Sequence, residues 1–248
     1  MRIALISDLH ANEIALDAVL RDIRRVGVDQ LVCLGDVATL GPRPKEILAR
    51  LRDLGCACIL GNHDEFLFNP GLLQTYTEVP IIVQGVDWCR AQLSSDELDF
   101  VRSFRAGMEI DLDGLDGRGE RKLLLFHGTP RSHMEELLSA TPPDQVDRML
   151  AGHSALVMAG GHTHFQMLRQ HHGILLVNPG SVGLPFKDFV PGSAPTVMSH
   201  AEYAIVESHA HGVAVHLHRV SLDRGALRRA AADCDNPFRE ALLGHYAP

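Results

Sequence analysis

Three apolar segments near the start of the chain each run into a short polar cluster, and this arrangement restricts the fold more than any other feature. The apolar segments are Arg2 to Ile6, Gln30 to Leu34 and Ala57 to Leu60. Amphipathic segments, Glu13 to Arg25 and Pro44 to Leu54, separate them. The pattern predicts a β-α-β-α-β unit with parallel strands and right-handed crossovers. Because the carboxyl ends of parallel strands share one edge of a sheet, the polar clusters are expected to meet there.

The middle of the chain is expected to carry a helical insert followed by a hairpin. Residues 65 to about 105 have a helical pattern that is interrupted by prolines. Two strand-like runs follow, Met108 to Leu112 and Arg121 to Phe126, and the loop between them is rich in Gly and Asp. This predicts a hairpin whose second strand leads into His127.

The last third of the chain predicts a second sheet. Turn residues separate strand-like runs at Leu156 to Ala159, Gln166 to Gln170, Ile174 to Val177, Ala204 to Glu207 and Val213 to Val220. The economical arrangement packs this sheet on the first one. Beyond Leu222, an Ala/Arg/Leu pattern predicts a closing helix on the surface. The whole chain, 1 to 248, is expected to form a single domain.

Charge and composition exclude several classes of function. The chain carries a formal net charge of −8 and has a sequence pI near 6.0, which leaves no basic excess for binding extended nucleic acid. No apolar run approaches the roughly 20 residues of a membrane span. The five cysteines form an odd set without framework spacing, and a strand begins directly at the N-terminus, so a cytoplasmic location is expected. Whether the chain forms a homo-oligomer is left open.

The polar clusters share the residue types that bind transition metals. They are Asp8-Leu9-His10, Gly35-Asp36, Gly61-Asn62-His63-Asp64, His127-Gly128 and Gly161-His162-Thr163-His164. Carboxylate, amide and imidazole groups of this kind are ligands of first-row divalent metals. Taken singly, each cluster has a structural alternative, since Asp36 can cap a helix and a histidine at a strand end is usually a core or surface residue. Together, the clusters predict a two-metal hydrolase.

The third cluster also supplies a candidate for proton transfer. Asp64 is expected to orient and polarise the neighbouring His63. The imidazole would then act as a proton donor or a phosphate clamp, and not as a metal ligand. Both residues are therefore predicted to be catalytic.

In this order, the five clusters resemble the calcineurin-like metallophosphoesterase superfamily over roughly the first 185 residues. The turn Asn178-Pro179-Gly180-Ser181 looks like one found in its small prokaryotic members related to the YfcE phosphodiesterases. The resemblance implies an α/β fold in which two packed mixed β-sheets are flanked by helices, a four-layer α-β-β-α sandwich. It also implies two divalent transition-metal ions, with Mn²⁺ expected and Fe, Zn or Ni as alternatives.

The resemblance assigns a role to each motif residue. The first metal would be held by Asp8, His10, Asp36 and His164, and the second by Asp36, Asn62, His127 and His162. His63 would contact the phosphate and protonate the leaving group. Substrate choice is expected to be encoded in residues 37–42 and in the insert at 66–105, where the chain departs from the family pattern.

The function implied is hydrolysis of a small or nucleotide-like phosphodiester by a hydroxide that two metals activate. A phosphomonoesterase or protein phosphatase on the same site, and a non-catalytic scaffold on the same fold, remain alternatives. The further histidine pairs, His171-His172, His209-x-His211 and His216-x-His218, are predicted to lie outside any metal centre.

Overall fold

The computed structural model describes residues 1–112, 121–188 and 195–247. Within them the strands are β1 (Arg2–Ile6), β2 (Gln30–Cys33), β3 (Ala57–Cys58), β4 (Met108–Asp111), β5 (Lys122–Leu125), β6 (Val157–Ala159), β7 (Met167–His171), β8 (Ile174–Asn178), β9 (His200–His209) and β10 (Gly212–Ser221). The helices are α1 (Glu13–Val26), α2 (Pro44–Leu54), α3 (Asn62–Phe66), α4 (Pro70–Tyr76), α5 (Pro80–Gln92), α6 (Ser95–Arg102), α7 (Pro143–Leu150), α8 (Arg224–Ala232) and α9 (Arg239–His245).

The strands form two five-stranded sheets. The first has the order β10-β9-β1-β2-β3, in which β1, β2 and β3 are parallel and β9 runs antiparallel to β1. The prediction that all strands of the last third form the second sheet is therefore wrong for β9 and β10, because β9 pairs with β1 at the edge that β2 leaves free. The second has the order β4-β5-β6-β8-β7, with β5, β6 and β8 parallel. The predicted hairpin is present, since β4 pairs antiparallel with β5 and Met108 faces Leu125. Its loop at 113–120 lies outside the described residues.

Successive side chains of the central strand β1 point to opposite faces of the first sheet. Ile3 and Leu5 are fully buried against Leu123 and Leu125 of the second sheet. Their neighbours, Ala4 and Ile6, point the other way and pack with α1 and α2. This period of two places one apolar layer between the sheets and another beneath the helices.

The second sheet is covered on its other face by α7. Leu124 and Met158 of this sheet pack against Val146 and Met149 of that helix. The order of layers is therefore helix, sheet, sheet, helix, and the predicted fold class is confirmed. Among the described residues, no helix has the length and the apolar content needed to cross a bilayer.

The C-terminal region differs from the single surface helix that its pattern predicts. It forms two helices, α8 and α9, and their side chains Leu227 and Leu242 are buried against Leu184. Tyr246, which follows α9, is also buried, and its hydroxyl accepts a hydrogen bond from the Asn12 amide at 3.3 Å. The alternation of apolar and basic residues indicated helical structure, but it showed neither that there are two helices nor that their apolar face meets a partner elsewhere in the chain.

We expect Leu5→Ala to lower the free energy of unfolding by about 2–5 kcal/mol, because Leu5 is fully buried between the two sheets and its truncation leaves a cavity. Leu217→Ala on β10, where the side chain is 39% exposed, is the matched control and should change stability by less than about 0.5 kcal/mol. Urea unfolding followed by circular dichroism measures both. Equal effects of the two substitutions would contradict this packing.

Candidate metal centre

The polar clusters lie at the carboxyl ends of strands that the two sheets bring together. Asp8 and His10 follow β1, Asp36 follows β2, and Asn62 opens α3 just after β3. His127 follows β5 of the second sheet. The last two metal-ligand candidates follow β6; they are His162 and His164. Every predicted site residue is buried, with no side chain more than 8% exposed.

The candidate ligands form two adjacent groups. One consists of Asp8, His10 and His164, and the other of Asp36, His127 and His162; within each group the ligand atoms lie within 4.8 Å of one another. The Asn62 amide oxygen joins the second group, at 3.1 Å from His127 Nε2. The structure thus assembles all seven predicted ligands in one place.

The Asp36 carboxylate faces both groups. Its Oδ1 lies 3.4 Å from Nε2 of His127, and its Oδ2 lies 3.9 Å from Nε2 of His10. Since each oxygen addresses a different group, this one side chain has the geometry of a shared ligand.

The backbone at the centre is held in an unusual conformation. Asp8, His10, Asp36, His162 and His164 all have positive φ, between 43° and 67°. Residues other than glycine rarely adopt this left-handed region, and each such residue costs of order 1 kcal/mol or more. Their concentration in the ligand set shows that the surrounding fold fixes the direction of these side chains.

Two glycines give the side chains room to approach. A Cβ at Gly61 would collide with Oδ1 of Asp36, and a Cβ at Gly161 would collide with the Ser7 hydroxyl. The glycines in these motifs are therefore needed for close packing against the carboxylates and not only for their freedom to turn.

Two ligand candidates are oriented by backbone carbonyl groups. Nδ1 of His127 lies 2.7 Å from the carbonyl oxygen of Leu34, and Nδ1 of His164 lies 2.6 Å from that of Leu184. In each ring Nδ1–H donates to the carbonyl, so Nε2 of the neutral ring carries the lone pair that would face a bound metal. This is the supporting arrangement that metal-binding histidines usually have.

The pKa values of the second group follow from burial and from its carboxylate. Burial alone would raise the pKa of Asp36, but His127 and His63 outweigh it and hold that pKa well below its usual value. Burial would lower the pKa of His127, yet Asp36 outweighs it and raises this pKa to about 9. For His162, burial dominates and lowers the pKa to about 3. An ionised carboxylate among imidazoles favours positive charge at this point, and a divalent cation supplies it.

The first group repeats this pattern. Burial lowers the pKa of His10 to about 3, helped by the neighbouring His164. Asp8 raises the pKa of His164 against the effect of burial. Nε2 of His10 lies 3.0 Å from Nε2 of His164, so two ring nitrogens face each other and need a shared cation or proton between them.

Unpartnered polar atoms at the centre show that the residues fit metal ions. Nε2 of His162 is buried and has no hydrogen-bond partner within the described structure, and the buried Oδ1 of Asp8 has no hydrogen bond but lies 3.4 Å from Nε2 of His164. Such atoms are costly unless something binds them. Nitrogen and oxygen donors of this type suit divalent transition metals, and no cysteine takes part.

The structure corrects the role predicted for Asp64. Its carboxylate accepts hydrogen bonds from the backbone N–H groups of Asp36, Val37 and Gly61, at 2.8 to 3.0 Å. Asp64 therefore ties the second and third strand-end loops together and does not orient the imidazole. The reason is the turn into α3, in which the carboxylate caps the helix.

The side chain that forms a hydrogen bond with the His63 ring is Thr39, which the sequence motifs did not indicate. Oγ1 of Thr39 lies 3.0 Å from Nδ1 of His63. Thr39 is fully buried in the 37–42 segment, where the sequence predicted substrate selection. With Nδ1 held by this hydroxyl, Nε2 is the atom left for chemistry.

A third cluster of metal-ligand types lies outside the centre. His171 Nε2 is 2.7 Å from Oδ1 of Asp147, and His172 Nε2 is 3.7 Å from the same oxygen. Since Asp147 and His172 are 54% and 70% exposed, we interpret this cluster as a surface ion pair.

Comparison with known proteins agrees with this geometry. Residues 1–207 match the family model of the calcineurin-like phosphoesterase superfamily domain. The chain belongs to this superfamily. The uncharacterized protein MJ0912 of Methanocaldococcus jannaschii is 30% identical over 198 residues, which are 74% of this chain and 76% of that protein. The superfamily predicted from the motifs is confirmed.

Solved structures show the same fold over nearly the whole chain. A metallophosphoesterase from Sphaerobacter thermophilus is 26% identical and has a TM-score of 0.73, covering 99% of this chain and 98% of that one. The hypothetical protein PH1004 from Pyrococcus horikoshii OT3 has a TM-score of 0.79 at 16% identity and covers 98% and 96% of the two chains. Membership of the superfamily and the two ligand groups together indicate divalent metal ions at this centre.

We expect Asp36→Asn to lower the metal content at both groups together, because its two carboxylate oxygens face different groups. Metal analysis of the purified protein after incubation with Mn²⁺ measures this. Asp144→Asn, at a site where the side chain is 71% exposed, is the matched control and should keep the wild-type content. Two retained ions per chain in Asp36→Asn would show that this carboxylate is not shared.

Proposed function

We propose that the chain is a metal-dependent phosphodiesterase that acts on a small phosphodiester with two divalent transition-metal ions. The observation that carries this proposal is the Asp36 carboxylate, which faces two groups of nitrogen and oxygen ligands beside the buried His63. In two-metal hydrolases such a centre clamps a phosphoryl group from two sides. A scaffold would have no use for a complete ligand set that holds five residues at positive φ.

Charge at the site favours a diester over a monoester. Two divalent ions together with Asp8 and Asp36 would leave a surplus of about +2, which a hydroxide and the bound phosphoryl group would share. No lysine or arginine lies among the described residues that line the adjoining cavity, and Glu136 adds a negative charge there. A phosphodiester carries one negative charge, whereas a phosphomonoester carries close to two at neutral pH. The positive charge that remains at the site therefore suits the singly charged phosphodiester better than the monoester.

The bound ions would polarise the phosphoryl oxygens and lower the pKa of a water molecule. We propose Mn²⁺ as the ion in the cell, since the ligands are carboxylates, imidazoles and an amide oxygen. The first group would hold one ion and the second group the other, with Asp36 shared between them.

The free thiols fit a cytoplasmic location.

His63 is the candidate general acid. Its ring lines the cavity next to both ligand groups, with its centroid 5.2 Å from that of His10. The Thr39 hydroxyl holds Nδ1, so Nε2 would give its proton to the leaving oxygen as the P–O bond breaks. Burial lowers the pKa of His63, and the neighbouring Asp36 carboxylate opposes that change.

We expect the protein to hydrolyse bis-p-nitrophenyl phosphate at least tenfold faster than p-nitrophenyl phosphate, in kcat/KM, when Mn²⁺ is present. The expected preference follows from the low positive charge of the cavity. Release of p-nitrophenolate measures both reactions. Treatment with EDTA should abolish both, and Mn²⁺ should restore them. A preference for the monoester would favour the phosphomonoesterase alternative.

We expect His63→Ala to lower kcat about 10²- to 10⁴-fold for a dialkyl phosphate, whose leaving alkoxide needs a proton. The loss should be smaller for p-nitrophenyl esters, because p-nitrophenolate leaves without one. Metal content should stay at the wild-type value, since His63 is outside both ligand groups. An equal loss for both kinds of ester, or a loss of metal, would contradict the role of proton donor.

A further inference from the structure

A cavity of about 380 Å³ opens directly onto the candidate metal centre. Its inner wall is formed by side chains of that centre, among them Asp36, His63 and His162. The remaining wall comes from five separate parts of the chain: Leu40 after β2, the α4–α5 segment, Glu136 and Leu138 after β5, the segment that follows β8, and Phe238 with α9. Of these, α9 lies beyond residue 207, where the family match ends.

The wall away from the metal-binding side chains is mostly apolar. Ile81 and Ile82 of α5, Phe186 after β8, and Leu242 of α9 all line it. Glu136 is the one carboxylate outside the ligand groups among the described lining residues, and none of those residues is a lysine or arginine. His245 of α9 also lines the cavity, but burial lowers the pKa of its imidazole, which disfavours the charged form. A substrate group with its own negative charge would therefore lose water here without meeting a counter-ion among the described residues of this wall.

Two aromatic rings give this wall a fixed shape. Phe186 stacks on the His164 ring, with centroids 4.2 Å apart and planes inclined by 23°. Phe238, which precedes α9, packs on Gly85 of α5 so closely that an added Cβ would lie 2.6 Å from its Cε2. The helical insert and the C-terminal region are therefore in direct contact, and the cavity is formed in advance of binding.

We propose that this cavity selects a phosphodiester whose second ester group is neutral and apolar, an alkyl or aryl group, over one that carries further negative charge. The inference rests on the proposed phosphodiesterase function, because the phosphoryl centre fixes the point from which the ester group extends. Because the cavity is continuous with the metal centre, that ester group would lie against the apolar wall. The described residues of this wall include Glu136 and no lysine or arginine, so a negatively charged ester group is disfavoured there.

The test uses p-nitrophenyl diesters that differ only in the second ester group, assayed with Mn²⁺ on the wild-type protein. The three arms are methyl, hexyl and 5-carboxypentyl, the last close to hexyl in length but ending in a carboxylate. We expect kcat/KM for the hexyl diester to exceed that for the methyl diester at least ~10-fold, because each buried methylene contributes roughly fourfold. The carboxypentyl diester should fall at or below the methyl diester.

A substitution that adds a positive charge to the cavity wall provides a second, independent test. Ile81 is 38% exposed, so Ile81→Lys should fold normally while placing a cation at the cavity. We expect this variant to lower the hexyl-to-carboxypentyl ratio of kcat/KM at least ~10-fold, because the new ammonium pairs with the carboxylate. Leu168→Lys, on β7 at a position that is 49% exposed and outside the cavity, is the matched control and should leave the ratio unchanged.

The outcomes separate this inference from the function on which it rests. Equal kcat/KM for the methyl and hexyl diesters, with both hydrolysed, would overturn the apolar selection and leave the phosphodiesterase function intact. A preference of the wild-type protein for the carboxypentyl diester would also overturn the selection. Failure to hydrolyse any of the three diesters, at full Mn²⁺ occupancy, would reject the proposed function and this inference with it.

Discussion

The structure depends on the burial of a small set of charges at the point where the two sheets meet. Asp8 and Asp36 are fully or almost fully buried among imidazoles, in surroundings where an isolated carboxylate would be very unfavourable. The imidazoles keep the pKa of Asp36 low, and Asp36 in turn raises that of His127. The cluster is therefore stable only as a unit that carries enough positive charge, and divalent ions satisfy this condition best.

The backbone contributes to this unit as much as the side chains do. Positive φ at five of the candidate ligands is unfavourable in isolation, and the cost must be met by the packed sheets that hold each strand end in place. The carboxylate of Asp64 shows how this is done, because it accepts N–H groups from the loops after β2 and β3 and so fixes their separation. A residue predicted to orient the His63 ring instead fixes the positions of two loops of the site.

Much of the fold and the ligand set could be predicted from the sequence, because both depend on local patterns. Alternation along β1 fixes which side chains face the second sheet, and polar residues directly after strands must lie at the carboxyl edge. The contact between Thr39 and His63, and the position of α9, could not be predicted. Both join parts of the chain that no periodicity relates, so they become visible only when the tertiary structure is known.

The position of α9 has a consequence for how proteins of this architecture can diverge. The candidate metal centre is built from strand ends within residues 1–207, which match the family model, while one wall of the neighbouring cavity comes from α9. This helix packs on Leu184, and Tyr246 just after it accepts a hydrogen bond from Asn12. None of the seven candidate ligands lies on α9, although Leu184, on which α9 packs, carries the carbonyl group that orients His164. Substitutions on the cavity side of α9 would therefore alter the wall beside the candidate metal centre while every candidate ligand stays the same.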